Sequence, residues 1–362
     1  MNNTKQYCLI LAGGVGKRLW PCSRKNKPKQ FLDFFGVGRT LLQQTYDRFI
    51  RFIPKEQILI STFKDYVELV KEQLPDVKDE QLIVEPVQLS TASAAAWSCE
   101  ILRKRVGDAV VIISPSDQHI INEPLFAEQM STAMQYAAAH HEFVAIGVGP
   151  TTPNTGYGYI QMDEPCCGDK LSRVQSFTEK PDLQFAEMFV NSGEFLWNTG
   201  LFVCHLNVMH DMVCKELPLL AEVFEQCPQA LNYEDEVALA NQHFPSLTHD
   251  SINLLLLEKT ENIVVMNCDF GWADVGAWPE LHEVKEKDAD YNAVIGDAKV
   301  LFDNAFGNLV SLPDLKAAII AGLEGYLVAE KDGVLVICPD GDAAIVRRLV
   351  TEAQVKLGEE FV

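Results

Sequence analysis

Positive charge is scarce in this chain: 30 Lys and Arg stand against 51 Asp and Glu, a net of −21. The overall field therefore repels nucleic acids and anionic membrane surfaces, and neither is expected as a partner. The 10 cysteines contain no C-x-x-C pair, and the one close pair, Cys166-Cys167, suits neither a zinc site nor a disulfide framework. They are expected to be reduced, mostly structural thiols. The apolar run ahead of Gly13 is too short for a secretion leader or a membrane span, which leads to the expectation of a cytoplasmic protein. Gly/Ser linkers, low-complexity segments and clean fixed-period repeats are missing as well. What remains is an ordinary globular composition, 48% hydrophobic and 22% charged, spread over 362 residues. That is more than one compact core usually holds, so a large domain with a smaller appendage is expected. Any polyanionic small substrate must be held by local cations, which makes clustered Lys and Arg informative.

From Tyr7 to about Val148, short β-rich runs alternate with helical patterns, the rhythm of βαβ units around a mostly parallel sheet. Strands are expected at Tyr7–Ala12, Gln57–Ser61, Leu82–Val84, Ala109–Ser114 and Phe143–Val148. Helices are expected at Thr40–Phe52, Asp65–Leu74, Thr91–Arg105 and Pro124–Ala139. A Rossmann-like, doubly wound α/β structure with a mixed sheet over the whole domain follows, with ligands at the carboxyl ends of its strands. From Thr151 to about Val284, Gly/Pro-punctuated strands such as Gly158–Met162 and Arg173–Thr178 mix with helices such as Asp182–Asn191 and Asn207–Glu216, an elaboration of the same domain. After Asp290 short apolar runs recur, from Ala293–Ile295 through Val334–Cys338, and a helix is expected from Asp342 to about Leu357. The expected division is therefore a catalytic domain over residues 1–287 and a small β-rich, β-helix-like domain over 288–362.

The most specific segment runs Leu11-Ala12-Gly13-Gly14-Val15-Gly16-Lys17-Arg18-Leu19-Trp20-Pro21, then through Ser23-Arg24 to Pro28-Lys29-Gln30-Phe31-Leu32. An apolar strand leads into glycines whose backbone N–H groups can approach phosphate oxygens, and Lys17, Arg18, Arg24 and Lys29 follow closely. A P-loop would need Gly in place of Leu11 and Ser or Thr in place of Arg18. A dinucleotide fingerprint from Gly14 would need a small residue in place of Leu19. Neither is present. The run resembles the signature of the sugar-nucleotide pyrophosphorylases, and its Leu19-Trp20-Pro21-x-Ser23-Arg24 and Pro28-Lys29-Gln30-Phe31-Leu32 parts resemble the mannose-1-phosphate guanylyltransferases in particular.

That resemblance implies transfer of a nucleotidyl group from GTP to mannose 1-phosphate with Mg²⁺ as cofactor, on a nucleotide-diphospho-sugar transferase fold; the apolar strands between Ala293 and Cys338 leave edges that a second copy could cover, so a homodimer is expected. It implies that Leu11, Ala12, Gly13, Gly14, Gly16, Lys17, Arg24, Glu85, Pro86, Thr91, Ala92 and Ser116 lie around the nucleotide, and that Arg18 and Lys29 act on its phosphates. In-line attack at an α-phosphorus gathers charge on phosphate oxygens, so the chemistry wants Mg²⁺ beside fixed cations. Asp117 follows the apolar strand Val110–Ser114, and Asp274 sits in the Gly/Trp-framed turn Phe270-Gly271-Trp272-Ala273-Asp274-Val275-Gly276-Ala277-Trp278. Each alone equally describes a turn or helix-cap aspartate; the resemblance implies that both hold the metal. His119 is either a third ligand or a hydrogen-bonded structural residue. A sugar phosphate needs a cation and polar groups framed by shaped walls. The segments Gly156-Tyr157-Gly158, Glu179-Lys180 and Asn198-Thr199-Gly200 are also ordinary turn and strand-end patterns. The resemblance implies Gly158, Glu179 and Asn198 on the sugar, Lys180 on its phosphate, and Gly156, Tyr157 and Gly200 around them.

The resemblance runs from Tyr7 to about His282, and the chain is expected to end before the fused isomerase domain of longer members. It departs from the family at Gln88-Leu89-Ser90, where a cation and an amide are lost near the nucleotide base, at Gln118 for a His, and at Thr199 for a Ser. Another sugar 1-phosphate or another nucleotide stays open, because one side chain can read one hydroxyl. So does a catalytically silent subunit that binds sugar nucleotides.

Overall fold

The computed structural model describes residues 4–168, 170–227 and 231–362. Eleven strands cover the first three quarters of the described chain: β1 (Gln6–Leu11), β2 (Ile58–Phe63), β3 (Leu82–Glu85), β4 (Val110–Pro115), β5 (Gln118–Ile120), β6 (Phe143–Val148), β7 (Gly158–Cys167), β8 (Leu171–Glu179), β9 (Phe195–His205), β10 (Ile263–Cys268) and β11 (Trp272–Asp274). Nine of them form one mixed sheet in the order β3-β2-β1-β4-β9-β6-β10-β8-β7. The expected βαβ rhythm appears as the parallel run β3-β2-β1-β4, joined by helices at Leu41–Phe49, Val67–Gln73 and Thr91–Val106. The chain leaves β1 toward β2 and β3 and later returns to the other side of β1 as β4. This reversal of strand order is the place where ligands gather at strand carboxyl ends.

The sheet is less parallel than its sequence rhythm suggests. β9 inserts antiparallel between β4 and β6, and β7 and β8 form an antiparallel pair at one edge. Periodicity reports how each strand buries its faces, whereas the order of strands depends on pairings far apart in the chain. Residues Val110 to Ile113 are essentially inaccessible on both faces, as a central strand covered by helices requires. Their core continues through Leu9, Leu59, Trp97, Phe202, Phe224 and Val265. Helix ends are set locally: Asn122 and Asp182 accept the N–H groups of Leu125 and Phe185.

The chain forms two compact units. One comprises the residues up to Gly13, Tyr46–Pro115 and Ile120–Trp272, and carries the nine-stranded sheet. The other comprises Gly14–Thr45, Ser116–His119 and Ala273–Val362. This second unit holds β12 (Ala293–Ile295), β13 (Lys299–Asp303), β14 (Leu309–Ser311), β15 (Ala317–Ala321), β16 (Tyr326–Lys331) and β17 (Val334–Pro339), then a helix at Ala343–Lys356 capped by Asp342. Ala293, Leu309 and Leu327 stack in parallel register, and Lys299 pairs with Ala317 beside them. The spacings between stacked residues are unequal, so no fixed period is visible in the sequence. β17 returns antiparallel to β16 and ends the parallel stack. The core of this unit joins Leu309, Leu327, Val336, Val346 and Val350 to Leu19, Trp20, Phe34, Val275 and Trp278.

A buried asparagine ladder fixes the stack. Asn308 Nδ2 donates to Asn292 Oδ1 at 2.9 Å and to the Leu323 carbonyl at 2.8 Å, while its Oδ1 accepts the Tyr326 N–H at 3.0 Å. Removing that amide leaves several buried backbone groups without partners. Asn308→Ala is expected to lower stability by about 2–4 kcal/mol in urea melts of the full chain.

Candidate active site

In the sheet-bearing unit, the carboxyl ends of β1 and β3 bring together one group of the residues predicted around a nucleotide. The Ala12 N–H donates to the Ser61 carbonyl at 2.7 Å, which carries the β1 pairing one residue past Leu11. Glu85, the last residue of β3, is 4% exposed and accepts a hydrogen bond from Ser61 Oγ at 2.7 Å. A Cβ on Gly13 would sit 3.0 Å from Glu85 Oε1, so the lack of a side chain at Gly13 is what lets the backbone lie against that carboxyl. Gln88, one of the departures from the family pattern, donates Nε2 to the Gly13 carbonyl and to Tyr66 Oη, each at 3.1 Å. It thus ties the base of the glycine run from below. Pro86 is buried next to Glu85. Thr91 Oγ1 accepts the Ile252 N–H at 3.0 Å, and Ala92 is buried in the core, so these two residues bind the structure to itself.

The residues predicted for a sugar gather on β7, β8 and β9 of the same unit. Gly158 opposes Glu179 across the β7–β8 pair, and a Cβ there would lie 2.7 Å from the Phe177 ring. Glu179 pairs with Lys180 at 3.1 Å, both well exposed. Tyr157 is buried edge-on to Trp197 and Trp272, with ring centroids 5.1 and 5.2 Å away. The Gly156 N–H is held by Asn154 Oδ1 at 2.7 Å. Asn198 is 8% exposed and accepts the Gly200 N–H at 3.0 Å, with Gly200 at φ +74°, where a side chain would be strained. Thr199 Oγ1 donates to the Ile146 carbonyl at 2.7 Å.

The second unit holds the cations of the glycine run and both predicted metal carboxylates. Gly16 adopts φ +68°, and a Cβ there would meet Ser23 Oγ at 2.6 Å and Lys29 Cγ at 2.9 Å. Gln30 Nε2 donates to the Gly14 carbonyl at 2.9 Å, and buried Leu19 and Trp20 anchor the following turn. Trp278 Nε1 donates to the Trp20 carbonyl at 2.9 Å. Lys17 is exposed and Arg18 half-buried. Lys29, only 8% exposed, pairs through Nζ with Asp117 Oδ2 and donates to the Val275 carbonyl at 3.4 Å. The Val275 N–H reaches the Asp117 carbonyl at 3.3 Å. Ser116, buried beside Asp117, accepts Thr45 Oγ1 at 3.3 Å. A Cβ on Gly276 would lie 2.5 Å from Asp274 Oδ2 and 2.6 Å from Arg18 Nη2, so Asp274 and Arg18 close over bare backbone. His119 stacks on Phe35 with centroids 4.4 Å apart.

Arg24, placed by the resemblance around the nucleotide, is held here by backbone carbonyls. Its guanidinium donates to the Pro21 carbonyl at 3.2 Å and the Lys331 carbonyl at 2.7 Å, tying the loop to the C-terminal strands. Sequence reasoning also passed over Glu280. It is 7% exposed in the first turn of the helix Trp278–Val284, and burial, then repulsion from Asp274, pushes its carboxyl up. An acidic residue just after a helix start reads as an N-terminal-turn carboxylate, and no local pattern marks this one as buried.

Among the described residues no three His, Cys, Asp or Glu side chains form a ready metal-holding group, and no helix is long and apolar enough to cross a membrane. Asp117 and Asp274 supply hard oxygen donors in the same unit as Arg18 and Lys29. Two carboxylates suit Mg²⁺, which commonly keeps waters and substrate phosphates as its other ligands.

Burial pushes the Glu85 carboxyl up to about 7, the hydrogen bond from Ser61 offsetting only part of the shift. The folded chain then holds a proton that the unfolded chain releases near pH 4.5, so stability falls as pH rises from about 4.5 through 7. The loss is on the order of 3 kcal/mol. Glu85→Gln is expected to remove that slope and to stabilise the chain at pH 8, as read by urea melts between pH 4 and 8.

Comparison with known proteins gives the family. A family model described as "Nucleotidyl transferase" matches residues 7–291. A Klebsiella pneumoniae protein named mannose-1-phosphate guanylyltransferase is 34% identical over 339 residues, covering 91% of this chain and 70% of the relative. An Escherichia coli protein of the same name matches at the same identity and coverage. A solved structure from Thermus thermophilus, described as a "mannose-1-phosphate geranyltransferase", superposes with a TM-score of 0.84 at 29% identity, covering 97% of this chain and 99% of that one. The α/β mixed sheet is therefore a nucleotidyltransferase fold, and the chain belongs to the nucleotidyl transferase family, among the relatives named mannose-1-phosphate guanylyltransferases.

Proposed function

We propose that this protein transfers the guanylyl group of GTP to α-D-mannose 1-phosphate, giving GDP-mannose and pyrophosphate. The observation that carries the reading is the Lys29–Asp117 pair. In a chain of net −21, a nearly buried cation is held against a carboxylate, with Arg18 and Asp274 side by side in the same unit. The named relatives support guanine and mannose as the specificities.

Attack by the sugar phosphate forms a new P–O bond at the α-phosphorus and breaks the bond to the departing pyrophosphate. No base is needed, because the attacking phosphate is already anionic at neutral pH. Charge grows on oxygens that fixed cations must meet. In this reading Arg18 and Lys29 take the nucleotide phosphates, with Lys17 at the loop's exposed edge. The backbone of Leu11, Ala12, Gly13, Gly14 and Gly16 lies along the nucleotide, and Glu85, Pro86, Thr91, Ala92 and Ser116 support it. Glu179 and Asn198 face sugar hydroxyls, Lys180 faces the sugar phosphate, and Gly156, Tyr157, Gly158 and Gly200 shape the surroundings. Asp117 and Asp274 would hold Mg²⁺, which when bound neutralises charge on the phosphates. The same reading takes the protein as a cytoplasmic homodimer with a catalytic domain over 1–287. Residues 288–362 form a β-helix-like domain, supported by the parallel register of Ala293, Leu309 and Leu327.

The purified chain is incubated with Mg²⁺, each of GTP, ATP, UTP and dTTP, and a panel of hexose 1-phosphates while pyrophosphate release is followed. GTP with mannose 1-phosphate should be the preferred pair, and Lys29→Ala and Asp117→Ala should each lower kcat/KM by about a hundredfold or more. Preference for another pair would keep the mechanism and move the substrate, with Gln88–Ser90 as the segment to examine. Release with no pair would leave a silent sugar-nucleotide-binding subunit.

A further inference from the structure

Outside the residues assigned to nucleotide, sugar and metal, the sheet-bearing unit carries a chain of polar groups that links two packed helices. Glu100, on the helix Thr91–Val106, is fully buried, and its Oε2 accepts from Arg103 Nε and Nη2 at 3.1 and 2.8 Å. Its Oε1 lies 2.9 Å from Nδ1 of His210, on the helix Leu206–Glu216. One turn along that second helix, Cys214 Sγ stands 3.5 Å from His210 Nε2. The thiol is exposed and the imidazole half-buried.

The order of partners sets the roles. An ionised carboxylate only accepts hydrogen bonds, so a neutral His210 carries its proton on Nδ1, toward Glu100, and turns the Nε2 lone pair to the sulfur. A nucleophile within reach of a base, with the base oriented by a third group, is the arrangement that activates a side chain for attack. Pinning the two helices together accounts for Arg103, Glu100 and His210, but it does not require a thiol at the remaining ring nitrogen. Burial, then the charges of Glu100, Glu225 and Asp211, push the Cys214 thiol up, with Arg103 opposing. The sulfur therefore rests protonated, and its attack needs a base to take the proton.

The other cysteines lack this setting. Cys8, Cys22, Cys99, Cys204, Cys268 and Cys338 are buried, and Cys227 donates its thiol proton to the Val223 carbonyl at 3.1 Å. Cys167 is exposed like Cys214, but among the described residues no imidazole stands against it.

We propose that Cys214 is a modification site that exchanges with low-molecular-weight disulfides, with His210 as its general base and Glu100 as the residue that positions the base. The Cys214 sulfur attacks one sulfur of the disulfide, so that a new S–S bond forms as the old one breaks. The thiol proton passes to His210 Nε2 and then to the departing thiolate, which leaves as a free thiol.

The test treats the full chain with a small excess of the aromatic disulfide dithiodipyridine, quenches samples with acid at intervals and maps the modified cysteines by mass spectrometry. Cys214 should react about tenfold faster than Cys167. His210→Gln keeps a side chain able to bond to Glu100 but offers no base. It should bring Cys214 down to the Cys167 rate and leave Cys167 unchanged, with urea melts matching those of the wild-type chain. Equal rates at Cys214 and Cys167 in the wild-type chain overturn the proposal, whether or not the variant folds. A Cys214 rate that His210→Gln does not move also overturns it and leaves the thiol–imidazole contact as packing alone.

Discussion

The contact between the Lys29 ammonium and the Asp117 carboxylate is the constraint on which the chemistry proposed for the second unit rests. Both groups are largely withdrawn from water, with side chains 10% and 17% exposed, so removing one leaves the other's charge poorly solvated. In a strongly acidic protein this is also a way to keep a cation where an anionic substrate can find it. The pairing needs two distant stretches, the turn at Lys29–Phe31 and the exit from β4, to be held in register. Val275 supplies the clamp by accepting from Lys29 and donating to the Asp117 carbonyl.

Much of the rest of the second unit serves to hold that clamp still. Leu19, Trp20 and Phe34 belong to the same core as Trp278 and the stacked strands of residues 293–338, so the loop is packed against the β stack. Arg24 and the Trp20 indole reach C-terminal backbone carbonyls, at Lys331 and Phe361 respectively. The motif's tryptophan and its second arginine are thereby explained by packing and hydrogen bonding, while Gly16 and Gly276 are explained by the side chains that crowd their backbones.

The sequence made the strands and helices of the sheet-bearing unit legible, because buried strands such as Val110–Ile113 read as apolar runs and amphipathic helices carry their period. It did not reveal that β9 enters antiparallel, since pairing partners leave no mark on a single strand. Reading contiguous stretches also could not show that Gly14–Thr45 and Ser116–His119 fold with Ala273–Val362. Among the candidate site residues, Lys29 and Asp117 were legible as types in context, and the structure brings them into contact. Arg24 was legible as a cation near the glycine run, but the backbone carbonyls its guanidinium touches were not. Glu280 left no signal, because a carboxylate early in a helix is ordinary until the core around it is known.

The most direct test of the account is a double-mutant cycle on stability with Lys29→Met, Asp117→Asn and the pair together, measured by urea denaturation in the absence of metal and nucleotide. If the two groups hold each other as described, each single change destabilises the chain and the double change costs less than their sum, with a coupling of about 1–3 kcal/mol. Additive effects, with no coupling between the positions, would contradict the claim that this ion pair organises the site.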